Sequence, residues 1–193
     1  MSRAKLARVA RSLNADGLAL MTDDLRLPDP MAAVRALPPG SLVIVRAKEP
    51  KRRASLALQL RPVAWARGLI LLIADDPGLA RAIGANGLHL PQAHAREVAH
   101  WRAKNPAWLI TASAHSLRAV LDAAQADAVL LSPVFATDSH KGAWPLSPAR
   151  ARMIARSVPV PVFALGGVTA RNSILLAGFS GIAAINALNP KKF

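Results

Sequence analysis

Short apolar runs recur along this chain at intervals that suit one supersecondary unit repeated eight times. They are GLALM (17–21), SLVIV (41–45), GLILLI (68–73), GLHL (87–90), WLITA (108–112), AVLLS (128–132), VPVFAL (160–165) and GIAAI (181–185). A strand covered on both faces reads as a nearly continuous apolar run, and parallel strands need a crossover between them. Segments 51–67, 76–84, 93–104, 116–125, 147–156 and 170–177, rich in Ala, Leu and Arg, have the length and composition of helical crossovers. Eight β/α steps in 193 residues predict an α/β fold, a (β/α)8 TIM barrel. A doubly wound open sheet is the alternative, because strand number alone does not enforce closure.

With 52% hydrophobic residues and no internal linker, residues 1–193 are expected to form a single domain. Leu6, Val9, Ala10 and Leu13 fall at helical spacing between basic residues, predicting an N-terminal helix over 1–14. The chain stops at NPKKF soon after the last run, so a full eighth helix is not expected. The apolar surface left open would be covered by the N-terminal helix or a partner subunit, and a homodimer is expected. No apolar stretch reaches the ~18 residues of a membrane span, and charges are spread through the start, so a cytoplasmic protein is expected.

Composition narrows the chemistry. With no cysteine, disulfides, thiolate metal sites and cysteine nucleophiles are excluded. The net charge of +14, from 25 Lys and Arg against 11 Asp and Glu, favours anionic ligands. With no Tyr, four Phe and four Trp, stacking platforms for bases are scarce, and specific nucleic-acid binding is not expected.

In such a barrel, functional residues collect just after the strand ends. After the seventh run, Gly166 and Gly167 allow backbone to approach a phosphate, and after the eighth, Ile185 and Asn186 lie in a neighbouring turn. The last two loops of a barrel are a recurrent phosphate site, although paired glycines also serve simple tight turns. After the second run come Arg46 and Lys48, suited to an anion, whereas Lys51 to Arg53 read as a solvated basic face. Asp75 and Asp76 offer carboxylates for Mg2+ or, more commonly, a helix N-cap before Pro77. His89, inside an apolar run, reads as a satisfied core histidine, and Ser113 and His115 follow the fifth run. Histidine is a natural proton carrier near neutral pH, although one near a strand end is often structural. Thr137, Ser139, His140 and Lys141 fall in a long polar loop with the composition of a lid.

In this order the segments resemble the thiamine-phosphate synthase and TenI family of (β/α)8 barrels, from about Leu18 to about Leu188. The best-matched pieces are ANGLHLPQ, SAHS, ADAVLLSPVFATDSHKG, VPVFALGGV and GIAAINAL. The resemblance implies work on thiamine precursors: the synthase joins a pyrimidine pyrophosphate to a thiazole phosphate using Mg2+, whereas TenI relatives aromatise a thiazole phosphate tautomer. It puts Arg46 and Lys48 at positions that hold the pyrophosphate and Asp75 at a metal-binding carboxylate. Ser113, Thr137, Ser139, Lys141, Gly166, Gly167 and Gly181 fall where the family handles the thiazole phosphate and the product. His115 matches the proton-transferring histidine of TenI proteins. The chain departs from the synthase pattern at Ile44, Ala74, Pro91 and His94, where the family has Gln, Asn, Gly and a second metal carboxylate.

Because imidazole is a poor ligand for hard Mg2+, the departures lower the expectation of synthase activity. Three functions remain. The first is a TenI-like thiazole phosphate tautomerase using His115 as acid and base, with no cofactor required. The second is a synthase with Asp75 positioning Mg2+. The third is a non-catalytic barrel that binds thiamine phosphate as a regulator.

Overall fold

The computed structural model describes residues 17–137 and 144–185. The expected N-terminal helix over 1–14, and the place where an eighth helix would follow, lie outside these residues. Eight parallel strands close into a barrel in sequential order: β1 (Gly17–Met21), β2 (Leu42–Val45), β3 (Ile70–Ala74), β4 (Gly87–Leu90), β5 (Leu109–Ala114), β6 (Ala128–Leu131), β7 (Val162–Ala164) and β8 (Gly181–Ala184). The described helices are α1 (Met31–Ala36), α2 (Pro50–Ala66), α3 (Pro77–Ala82), α4 (Val98–Lys104), α5 (Leu117–Asp122) and α6 (Pro148–Arg156). The chain is therefore a (β/α)8 barrel, and the open-sheet alternative falls because β1 pairs with both β2 and β8. Among the described residues no helix is long and apolar enough to cross a membrane.

Strand alternation divides the apolar residues into two layers. Leu20, Val43, Val45, Leu71, Ile73, Leu88, Leu90, Ile110, Val129 and Leu131 point outward and form the layer buried between strands and helices. Ala19, Met21, Leu42, Ile44, Leu72, Leu130 and Phe163 point inward and fill the barrel. Phe163 is fully buried and is the bulkiest of the fully buried side chains. The same alternation turns His89, Thr111 and Ser113 inward, so the barrel interior is polar along β4 and β5.

Capping residues set the helix starts. Glu49 accepts from the N–H groups of Lys51 and Arg52 before Pro50, Asp76 accepts from Leu79 before Pro77, and Ser147 accepts from Arg150 before Pro148. A capping acceptor followed by proline at the first helical position satisfies one exposed donor and lacks another.

Three expectations need correction. Segment 170–177 contains only a 3-10 turn at Ser173–Leu176, because Asn172 draws the backbone into a local network in place of a helical ladder. Segment 93–104 begins as a 3-10 turn, Gln92–Glu97, before α4. The third strand starts at Ile70, since Gly68 and Leu69 donate back to Trp65 and Ala64 in the turn that leaves α2. The helix α1 was not anticipated; its signal is Asp29, whose carboxylate accepts the Met31 N–H at 3.0 Å.

Phe163→Ala should cost about 3–5 kcal/mol of folding stability, the usual loss for an aromatic core truncation. Leu58→Ala, at a side chain 57% exposed, should cost less than about 0.5 kcal/mol. Urea midpoints of the two variants check both.

Candidate active site

At the C-terminal rim of the barrel opens a cleft of about 330 Å³. Of the residues singled out from the sequence, Arg46, Ser113, His115, Thr137, Gly166, Gly167 and Ile185 line it. Lys48, Asp75 and Gly181 do not. Ser139, Lys141 and Asn186 lie outside the described residues. Arg26, Gln92 and Ser132 also line the cleft.

His115 is held at two points. Its N–H donates to Gln92 Oε1 at 2.8 Å, and its ring Nδ1 lies 2.6 Å from the carbonyl oxygen of Ser132. A carbonyl oxygen only accepts, so Nδ1 carries the hydrogen and the lone pair of the neutral ring resides on Nε2. The next residue, Ser116, caps α5 by accepting the Ala119 N–H at 3.2 Å, which anchors the loop. This arrangement can take up a proton at Nε2 while Nδ1–H keeps its acceptor.

Gly166 and Gly167 have φ values of +91° and +66° and pack against the β6 loop. A Cβ on Gly167 would lie 2.3 Å from the Ala136 carbonyl oxygen, and one on Gly166 would lie 2.9 Å from Pro133 Cα. Both the backbone conformation and the space therefore require glycine. Asn172 fixes the loop by donating to the Gly167 carbonyl at 2.8 Å and accepting from Thr169 N–H at 2.7 Å. Gly181 serves a different purpose, at the N-terminal end of β8, where an added Cβ would meet Gly17 O at 2.3 Å and the Phe163 ring at 2.4 Å.

Below the cleft, buried His89 is bonded on both sides, through Nδ1 to Thr111 Oγ1 at 2.8 Å and through Nε2 to Ser113 Oγ at 2.9 Å. Burial, followed by the positive charge of Arg46, pushes its pKa down to about 3, so the ring is neutral.

The carboxylates after β3 are differently employed. Asp76 caps α3, with Arg53 Nε 3.7 Å from its other oxygen. Asp75, at φ +51°, meets His94 Nδ1 at 2.7 Å, and that hydrogen bond raises the His94 pKa. Mg2+ requires several oxygen donors. Here an imidazole occupies the Asp75 oxygen, and among the described residues no group of three or more His, Asp or Glu side chains is placed to hold a metal. Only the Oδ1 atom of Asp75 meets His94, whose imidazole is a poorer partner for Mg2+ than a second carboxylate would be.

The neutral burial of His89 has a pH signature. Its folded pKa lies below the ordinary 6.5, so its contribution to stability is complete above pH 6.5 and is lost as pH falls towards about 3. Between about pH 7 and about pH 4.5 the unfolding free energy of the wild type should fall by on the order of 2 kcal/mol more than that of His89→Gln. Urea titrations at the two pH values measure the difference; equal slopes would refute the assignment.

The sequence profile of the thiamine monophosphate synthase family matches residues 30–188. A thiamine-phosphate synthase of Methanoculleus marisnigri is 36% identical over 144 residues, 69% of this chain and 66% of that protein. A putative thiamine-phosphate synthase 2 of Aquifex aeolicus is 35% identical over 132 residues, 66% of this chain and 70% of that protein. Among solved structures, thiamine phosphate pyrophosphorylase from Pyrococcus furiosus superimposes with a TM-score of 0.74 at 25% identity, covering 93% of this chain and 90% of that one. With the profile spanning most of the barrel and its fold shared with that structure, the chain belongs to the thiamine monophosphate synthase/TenI family.

Proposed function

We propose that the chain acts in thiamine biosynthesis as a TenI-like thiazole phosphate tautomerase. The observation that carries this reading is the fixed tautomer of His115, which puts the basic nitrogen on Nε2 in a residue that lines the cleft. Aromatising such a tautomer moves one proton from a saturated ring carbon to another ring-conjugated position and changes nothing else. Nε2 takes the proton from carbon, the electron pair enters the ring, and the imidazolium returns the proton. While the ring is charged, the Nδ1–H bond to the Ser132 carbonyl stabilises it. Gly166, Gly167 and Ile185 would face the substrate phosphate with backbone groups, and Arg46, Ser113 and Thr137 would hold the rest of the ligand. Lys48, Asp75 and Gly181 lie outside the cleft lining and have no assigned step.

A second reading, thiamine-phosphate synthase, draws its support from the names of the relatives. The imidazole of His94 beside Asp75, a poorer partner for Mg2+ than a second carboxylate, weighs against it.

Proton NMR of the thiazole phosphate tautomer, without added metal, tests the first reading. The wild type should accelerate aromatisation over the spontaneous rate, and His115→Asn should lower kcat by roughly 10²- to 10⁴-fold, the typical contribution of a general acid and base. Undiminished activity in His115→Asn would sink the assignment, and formation of thiamine phosphate from both precursors with Mg2+ would favour the second reading.

A further inference from the structure

Among the described residues, the guanidinium groups of Arg53, Arg61 and Arg152 each have a buried Nε atom without a hydrogen-bond partner. Two of them are otherwise engaged. Arg53 donates through Nη1 to the Ala74 carbonyl at 2.9 Å and has Asp76 Oδ2 3.7 Å from its Nε, and Arg61 stacks over the Trp65 ring at 4.1 Å. Arg152 is part-buried and has no acceptor, carboxylate or ring beside it among the described residues. It lies on α6, whose sequence PARARMIAR holds arginines and no carboxylate. Ala149, Arg152, Met153 and Arg156 recur at helical spacing along one face, and with Ser157 they line an open groove of about 320 Å³. Gly178, at φ +104°, makes room for Arg156, since a Cβ there would lie 2.7 Å from Arg156 Nε. The C-terminal end of α6 leads into the start of β7, and Gly178 leads into the start of β8, so the groove sits towards the rim opposite the cleft.

We propose that this groove is a second anion site, separate from the cleft, in which Arg152 and Arg156 clamp a phosphate dianion, either free phosphate or a small phosphate monoester. A part-buried charge without a counterion has lost hydration that an anion would replace. Two cations four residues apart on one helix face also repel each other, and a dianion between them turns that repulsion into two attractions. The planar guanidinium fork matches phosphate oxygens in pairs. The negative end of α6 favours a cation in its last turn, which accounts for Arg156 alone. Arg152, a full turn earlier, has no such support and is the residue that an anion completes. Ala149 and the exposed Met153 give the groove an apolar side, suited to the alcohol part of an ester. The site is independent of the reaction at the cleft.

Carbon-detected NMR of the arginine Cζ atoms in the full chain, titrated with inorganic phosphate against chloride at constant ionic strength in mildly alkaline buffer, tests it. Loss of one signal in Arg152→Lys and of another in Arg156→Lys assigns the pair. In the wild type both signals should move along one saturable curve with a common midpoint. In Arg152→Gln the Arg156 signal should need roughly tenfold more phosphate, the loss of about one charge-assisted hydrogen bond. Arg156→Gln, read through the Arg152 signal, repeats the test from the other side, and the wild-type curve stands without any variant. Dimethyl phosphate, a monoanion, should bind more weakly than phosphate. Shifts that stay linear in phosphate would reduce the pair to a solvated basic face and overturn the inference, as would an unchanged midpoint in Arg152→Gln. Equal binding of dimethyl phosphate would point to a phosphodiester chain and remove the dianion. Phosphate entering the cleft moves other signals, that of Arg46 among them, so loss of the tautomerase reading leaves this result untouched.

Discussion

A parallel barrel depends on its last strand reaching its first, because an open edge would leave a row of backbone donors and acceptors unpaired. Here β8 runs beside β1 with Gly17 opposite Gly181 and Ala19 opposite Ala183. Small residues line this seam, and the missing side chain at Gly181 lets the strands and the Phe163 ring share the space. Closure puts the C-terminal ends of all eight strands on one rim. Arg26, Arg46, His115 and Gly166 come from four different loops and meet because the ladder holds those loops in a ring.

The rim is organised by hydrogen bonds that precede any ligand. The Ser132 carbonyl sets which nitrogen of His115 bears the proton, Asn172 locks the glycine loop, and Asp23 gathers two guanidinium groups. Such preorganisation matters because donors that are already oriented need not reorganise as charge develops. Each of these supports lies one contact away from the groups it positions.

The eight strands were legible because a strand covered on both faces leaves a nearly continuous apolar run; closure was only favoured by their number, and the pairing of β8 with β1 decides it. The glycine pair and His115 were legible from their place after strand ends. Arg26 was not, since its approach to the cleft depends on a turn made by the Asp23 carboxylate, which no apolar period reveals. An Asp two and three residues before the N–H groups it accepts is the only local hint. Likewise, Asp75 and His94 stand 19 residues apart in sequence, and their 2.7 Å contact arises only when β3 and β4 lie side by side. The helical expectation for 170–177 failed because Asn172 competes with the ladder for backbone partners.

The buried row of Thr111, His89 and Ser113 has a property that follows from its neutrality. An uncharged imidazole donates from one nitrogen and accepts at the other, so the two hydroxyls beside it must point in the same sense along the row. Exchanging the tautomer reverses both hydroxyls together and turns Ser113 from acceptor to donor at the floor of the cleft, with no charge created in the core. The row can therefore reverse its hydrogen-bond sense through a rearrangement of protons alone, while the barrel interior stays uncharged.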